Sequence, residues 1–219
     1  MARKQFLVIG AGRFGSAVAT ALSKLGHDVM VVDNDETLVQ EISSEVTDAV
    51  TANAASESAL KALDIPGYDA VILAIGYEIQ ASIMTALLLV EMGAKYTVAK
   101  AQTELHGKVL EKIGINRVVF PERDMGLKVA HSLVAPTIID MIELSDEYSV
   151  VEVSAPDDMV GKTLKEIDLR ARFGISVIAL RRDSEGNTHI SPVAEDVIKA
   201  GDIIVAVGDN KALKKLEWI

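Results

Sequence analysis

Three glycines, an arginine and an aspartate carry the first recognisable chemistry in this sequence. Gly10, Gly12 and Gly15 form a GxGxxG loop behind the apolar run Phe6-Leu7-Val8-Ile9, with Arg13 and Phe14 inside the loop. Gly10 permits a tight turn after a strand, and Gly12 lets backbone approach a phosphate with no side chain in the way. Gly15 lets the following helix pack close to the strand. That helix would present unpaired N–H groups and the positive end of its dipole to an anion. A second apolar run, Val29-Met30-Val31-Val32, ends at Asp33. This is about 20 residues beyond the loop, where a carboxylate accepts from ribose hydroxyls. A carboxylate there repels a 2′-phosphate, so NADP is disfavoured. The unit therefore reads as a nucleotide site. The plainer alternative is a tight βα turn and a loop that happens to begin at Asp33.

The elements that must hold this loop follow in order. Val18, Ala21, Leu22 and Leu25 lie on one helical face, with Gly26 where that helix would stop. Leu38, Val39 and Ile42 give a second helix, Ala49-Val50-Thr51 a short strand, and 56–63 a third helix closed by Pro66-Gly67. Ala70 to Ile75 is a buried strand ending at Gly76, followed by a helix over 78–92. Tyr96-Thr97-Val98-Ala99 is a strand, 106–113 a helix, and Val118-Val119-Phe120 a last strand stopped by Pro121. Strands alternating with helices imply a parallel, doubly wound sheet. Ligands of such sheets bind at the carboxyl ends of the strands. Those ends bring Asn34 and Asp35, Asn53 and Ala54, Ala74, Ile75 and Gly76, Lys100 and Glu122 near the glycine loop. Asn53 suits a purine base or a helix cap equally. Lys100 reads as a cleft cation or a solvated surface lysine, and Glu122 as a cation ligand or a loop carboxylate.

Beyond 123 the pattern is helical again, with Met125, Leu127, Val129, Ala130 and Leu133 apolar, and Pro136 interrupts it. Ile138, Ile139, Met141 and Ile142 then resume helical spacing over 137–144, which gives a helix–break–helix. From Tyr148 onward the expected strands are short and closely spaced: 148–153, 176–181, 187–191 and 203–207. Thr163-Leu164-Lys165-Glu166 is a capping box, 183–187 a hairpin turn, and 210–216 a final helix. This half is a small α+β domain.

The 219 residues include 49% hydrophobic but only 4% aromatic side chains, so the core is aliphatic, as buried parallel strands require. With 22 Lys plus Arg against 32 Asp plus Glu, the formal net charge is −10. That balance argues against nucleic acid as a partner. Absence of cysteine excludes a disulfide framework and thiolate metal sites. No apolar run reaches the length of a membrane span, and no signal peptide precedes the first strand, so the expected location is cytoplasmic. His27, His106, His131 and His189 show no metal-ligand spacing. No GxSxG elbow or GxxxxGK[ST] loop occurs. A nucleotide site without visible catalytic machinery favours a ligand-sensing module over an enzyme; an NAD-dependent oxidoreductase is the alternative that the glycine loop by itself suggests.

Several stretches together carry a resemblance. They are Gly-Ala-Gly-Arg-Phe-Gly at 10–15, Asn53-Ala54, Ala74-Ile75-Gly76 with Ile79-Gln80-Ala81-Ser82, and Lys100-Ala101-Gln102. Leu110-Glu111-Lys112-Ile113-Gly114, Pro121-Glu122-Arg123-Asp124-Met125-Gly126 and Leu144-Ser145-Asp146-Glu147-Tyr148 complete the set. The chain resembles the regulator-of-potassium-conductance (RCK) family, most nearly the cytosolic KtrA/TrkA subunits of bacterial potassium uptake systems. The likeness covers essentially the whole chain. It implies a Rossmann-like domain with a crossover helix over 1–134 and a C-terminal RCK domain over 135–219. It also implies dimers assembled into an octameric ring beneath a KtrB/TrkH-like potassium-translocating membrane subunit. The protein would then sit peripherally at the inner face of the cell membrane. Members bind ATP, ADP or NAD(H). By position, Gly10, Gly12 and Gly15 would cradle phosphates, with Phe14 in the same loop, and Asp33 would hold the ribose, beside Asn34 and Asp35. Asn53, Ala54, Ala74, Ile75 and Gly76 would line the adenosine end. Arg13, Lys100, His106 and Glu122 would lie at the phosphate end, Glu122 as a partner of a divalent cation such as Mg. Leu169, Arg170, Ile190 and Pro192 resemble a region where some relatives bind cyclic di-AMP.

Overall fold

The computed structural model describes residues 2–76, 78–134, 138–182 and 187–219. The break expected at Pro136 lies outside the described residues, as does the turn expected at 183–187 apart from Asn187, which begins a strand. The chain divides into two compact units, Met1–Arg123 and Asp124–Ile219.

In the first unit, strands β1 (Gln5–Ile9), β2 (Asp28–Asp33), β3 (Asp48–Thr51), β4 (Ala70–Leu73), β5 (Thr97–Lys100) and β6 (Arg117–Val119) form one sheet in the order β3-β2-β1-β4-β5-β6. Every pairing is parallel. Helices α1 (Arg13–Lys24), α2 (Glu36–Ile42), α3 (Glu57–Lys61), α4 (Ile79–Glu91) and α5 (Glu104–Ile113) are the crossovers. This is the Rossmann-like, doubly wound sheet expected from the alternation. Its strands are apolar throughout because both faces are covered. Leu7, Ile9, Val71 and Leu73 feed one core layer. Val8, Val29, Val31 and Ile72 feed the layer on the other face. The strand order reverses between β1 and β4, and the loops after these two strands open side by side there.

Pro121 ends the strand region and also opens helix α6 (Pro121–Val134) at its first turn, where a missing N–H costs nothing. The division between the two units falls within α6, after Arg123.

The second unit is an antiparallel sheet in the order β10-β9-β11-β8-β7. Its strands are β7 (Ile138–Glu143), β8 (Tyr148–Ser154), β9 (Ser176–Arg182), β10 (Asn187–Ile190) and β11 (Asp202–Asp209). Helices α7 (Leu164–Ile167), α8 (Leu169–Phe173) and α9 (Asn210–Lys215) complete it. The capping box at Thr163 is present in both directions, with the Glu166 backbone N–H donating to Thr163 and Thr163 N–H donating to Glu166. One expectation fails: 138–143 is a strand and not a helix. A bulge between Ile138 and Asp140 sets two residues against one on β8. The inward-facing Ile138 and Met141 are therefore three apart, which imitates helical spacing. The unit's core gathers Val151, Val153, Ile175, Leu180, Ile204, Leu213 and Trp218.

Candidate functional site

Two close approaches shape the loop after β1. Gly10 adopts φ 103°, and a β-carbon there would lie 2.9 Å from the carbonyl carbon of Ala74. A β-carbon on Gly15 would overlap the carbonyl oxygen of Gly10, so α1 can rest against β1 only because this residue is glycine. Gly12 is different: among the described residues nothing lies within 4 Å of where its β-carbon would be, and it stands at the N-cap of α1. The first turn of α1 holds no acidic side chain. That combination leaves an open, electropositive helix N-terminus suited to a phosphate.

Asp33 does more than end β2. Its Oδ2 accepts from the backbone N–H of Ala11 at 2.6 Å, and its Oδ1 accepts from that of Asp35 at 2.9 Å. The carboxylate thus braces the glycine loop while keeping lone pairs for ribose hydroxyls. Asp35 caps α2, accepting from Thr37 N–H. Asn53 also turns inward to its own chain, its Oδ1 accepting from Ala55 N–H at 2.9 Å. This is a local turn; the N-cap of α3 is Ser56, so Asn53 does not fill the helix-cap role.

These residues meet in a cleft of about 700 Å³ above the carboxyl ends of the strands. Gly10, Gly12, Arg13 and Phe14 line it from the loop, and Asp33, Asn34 and Asp35 from β2. Asn53, Ala54, Ala74, Ile75 and Gly76 line the far side, with Lys100 and Glu122. Two expected residues do not line it. Gly15 is buried in the helix–strand contact. His106 is buried at the start of α5, where its Nδ1 accepts from Gln102 N–H and its Nε2 has no hydrogen-bond partner among the described residues. Burial pushes the His106 imidazole below the ordinary histidine range. The sequence reading also missed part of the lining. Leu38 and Ala52 give the cleft apolar surface, and Glu78, Ala81 and Gln102 border it. Gln102 follows the β5 tip by two residues, which was the available signal.

Lys100, at the end of β5, reaches Glu122 on α6 at 2.5 Å. Its hydrogen bond holds the Glu122 carboxyl below the usual carboxylate range, helped by the more distant charge of Arg13. Glu122 therefore already has a cation. Among the described residues no group of three or more His, Cys, Asp or Glu could hold a metal ion. In the second unit Leu169 is buried in the core, whereas Arg170 and Ile190 are exposed and Pro192 is half-buried. Leu169 therefore offers no surface to a ligand.

The TrkA-N domain family matches residues 6–121, the unit that carries this cleft. The TrkA-C domain family matches residues 149–217. Ktr system potassium uptake protein C of Bacillus subtilis is 42% identical over 215 residues, covering 98% of this chain and 96% of that protein. This chain belongs to the TrkA/Ktr family of potassium uptake proteins. Ktr system potassium uptake protein A of the same organism is also 42% identical, over 214 residues, with the same coverage of both chains. Among solved structures, the GsuK channel bound to NAD shares the fold at a TM-score of 0.70 and 20% identity, over 99% of this chain and 39% of that one. Among the described residues no helix is long and apolar enough to cross a membrane.

Proposed function

We propose that this chain is the nucleotide-sensing regulatory subunit of a bacterial potassium uptake system, without catalytic turnover of its own. It would act from the cytoplasmic side on a potassium-translocating membrane subunit. The observation that carries the reading is full-length likeness to Ktr proteins combined with an open cleft at the N-terminus of α1. ATP and ADP are the ligands proposed, and NAD(H) fits the same braced loop. Assembly into a ring of dimers belongs to this reading. It is supported by the exposed apolar side chains of Met125, Leu127, Val129 and Leu133 along α6. Light scattering that returned a monomer mass at micromolar concentration would remove that part. Cyclic di-AMP as a second ligand near Arg170, Ile190 and Pro192 rests on family likeness alone and predicts Arg170-dependent binding heat.

ATP and ADP share every adenosine contact, so only the terminal phosphate can make them different signals. Arg13, exposed on the first turn of α1 and lining the cleft, is the cation proposed to read it. A charge-assisted contact contributes about 1.5–3 kcal/mol, or roughly one to two decades in a conformational ratio. Arg13→Ala should therefore erode the ATP-to-ADP ratio of potassium flux in a reconstituted transporter far more than it weakens ADP binding. Asp33→Ala should weaken both nucleotides alike. An unchanged flux ratio for Arg13→Ala would refute the proposed role.

A further inference from the structure

The His106 imidazole is 3% exposed, and its Nδ1 accepts at 3.4 Å from the backbone N–H of Gln102, a residue that borders the cleft. Only a ring with Nδ1 unprotonated can accept there. The turn from β5 to α5 is fixed at both ends by other bonds. Ala101 N–H donates to Val119 at 2.9 Å, and Thr103 caps α5 by accepting from His106 N–H at 3.2 Å. Between those ends it is the imidazole that holds the Gln102 amide. A β-carbon on Gly107 would lie 2.5 Å from the Phe120 ring, so this turn of α5 has little room to shift. A charge on the ring would also lack compensation. Helices α4 and strand β6 pack against α5. The one ionisable side chain of α4 is Glu91, its last residue, and that of β6 is Arg117, which is exposed. Glu104 and Lys108 on α5 itself are exposed, Arg123 faces Glu104 at 3.8 Å, and Lys100 is paired with Glu122. A buried charge with no partner is costly, so the ring stays neutral near neutral pH.

We propose that His106 is a positioning residue for the cleft: it holds Gln102 at the border through an acceptor that a single proton removes, so that ligand binding weakens in acid. The proposal rests on the nucleotide reading of the cleft. A proton on Nδ1 turns the acceptor into a donor that meets the Gln102 N–H head-on. The turn must then move, and the part of the cleft border it carries moves with it. Burial sets the pH window. It lowers the imidazole from the ordinary value of 6.5 in the folded chain, so the unfolded chain takes up the proton first as pH falls. The stability that depends on the neutral ring is complete above about 6.5 and is lost as pH falls through the lower, folded value. Affinity follows the folded value, because only the folded chain binds.

Calorimetric titration of the full chain with NAD and with ADP, from about pH 7.5 down to about pH 5, tests this. NAD carries only bridging phosphates, which keep their charge over that range, whereas a terminal phosphate titrates near about 6. Wild-type protein should lose about fivefold in NAD affinity across the range, the worth of one ordinary hydrogen bond. His106→Asn keeps an acceptor in the place of Nδ1 and cannot titrate. It should bind NAD as wild type does at the upper pH and hold that affinity in acid. His106→Leu removes the acceptor and should bind about fivefold more weakly at every pH. For ADP, the ratio of wild-type to His106→Asn affinity at each pH cancels the titration of the ligand and should show the same fivefold change. Wild-type affinity for NAD that is level across the range overturns the proposal, and that arm needs no variant to fold. So does acid weakening that persists in His106→Asn, which would belong to another group. A His106→Asn protein as weak as His106→Leu also overturns it, since His106 would then act by packing alone. Wild-type protein that bound neither NAD nor ADP at the upper pH would overturn the nucleotide reading itself, and the proposal with it.

Discussion

Gly15→Ala is expected to abolish the folded first unit or lower its melting transition by roughly 10 °C or more. The added methyl would occupy the position of the Gly10 carbonyl oxygen and press on the Ala74 side chain at 3.1 Å. Gly10 cannot retreat. Its N–H donates to Val32 at 2.7 Å, and the Ala74 backbone lies close against it on the other side. Overpacking against backbone costs about 3 kcal/mol, the upper end of the usual range, because no side chain can rotate away. Gly12→Ala is the matched control. Its backbone is extended, with φ −66° and ψ 179°, and no described residue lies within 4 Å of where a β-carbon would be. That variant should lose less than about 1 kcal/mol yet forfeit nucleotide affinity, since the methyl projects where a phosphate would approach. Scanning calorimetry separates the two cases. Equal melting profiles for both variants would show that the helix–strand contact tolerates a side chain.

Trp218→Ala should remove about 3–5 kcal/mol from the second unit, with its transition falling by roughly 15 °C or more. Trp218 is 1% exposed and donates its backbone N–H to Leu213 at 2.9 Å, after a turn at Glu217 with φ 56°. It belongs to a core made wholly of residues from 138 onward. The first unit's two layers contain only residues before 121. Separate cores predict that the first unit's transition and its nucleotide affinity survive the substitution. A single transition that moved as a whole would show that the units melt together.

Much of the site was legible because buried parallel strands are written as uninterrupted apolar runs. Phe6 to Ile9 and Ala70 to Ile75 needed no periodicity argument, and the glycine spacing fixed which strand tip held the loop. Three features were not legible. The bulge in β7 displaced its inward residues to helical spacing, so local pattern favoured the wrong element until β8 supplied a partner. The pairing of Lys100 with Glu122 depends on β5 and the start of α6 lying side by side, which no local window contains. The family resemblance implied His106 at the phosphate end, but the third residue of α5 turns inward, and the histidine is buried there with the helix core.

The brace between Asp33 and Ala11 constrains how such a site can change over generations. On the proposed nucleotide reading, sugar selectivity and loop shape would hang on one carboxylate and so form a single heritable trait. A lineage moving toward 2′-phosphorylated ligands would need to discard that acid to relieve repulsion. The same step would strand the Ala11 amide and slacken the phosphate loop. An intermediate form would bind neither kind of ligand well, which is a fitness valley one mutation deep. Crossing it requires a prior substitution elsewhere that offers the amide another acceptor, so the order of mutations is constrained as well as their identity.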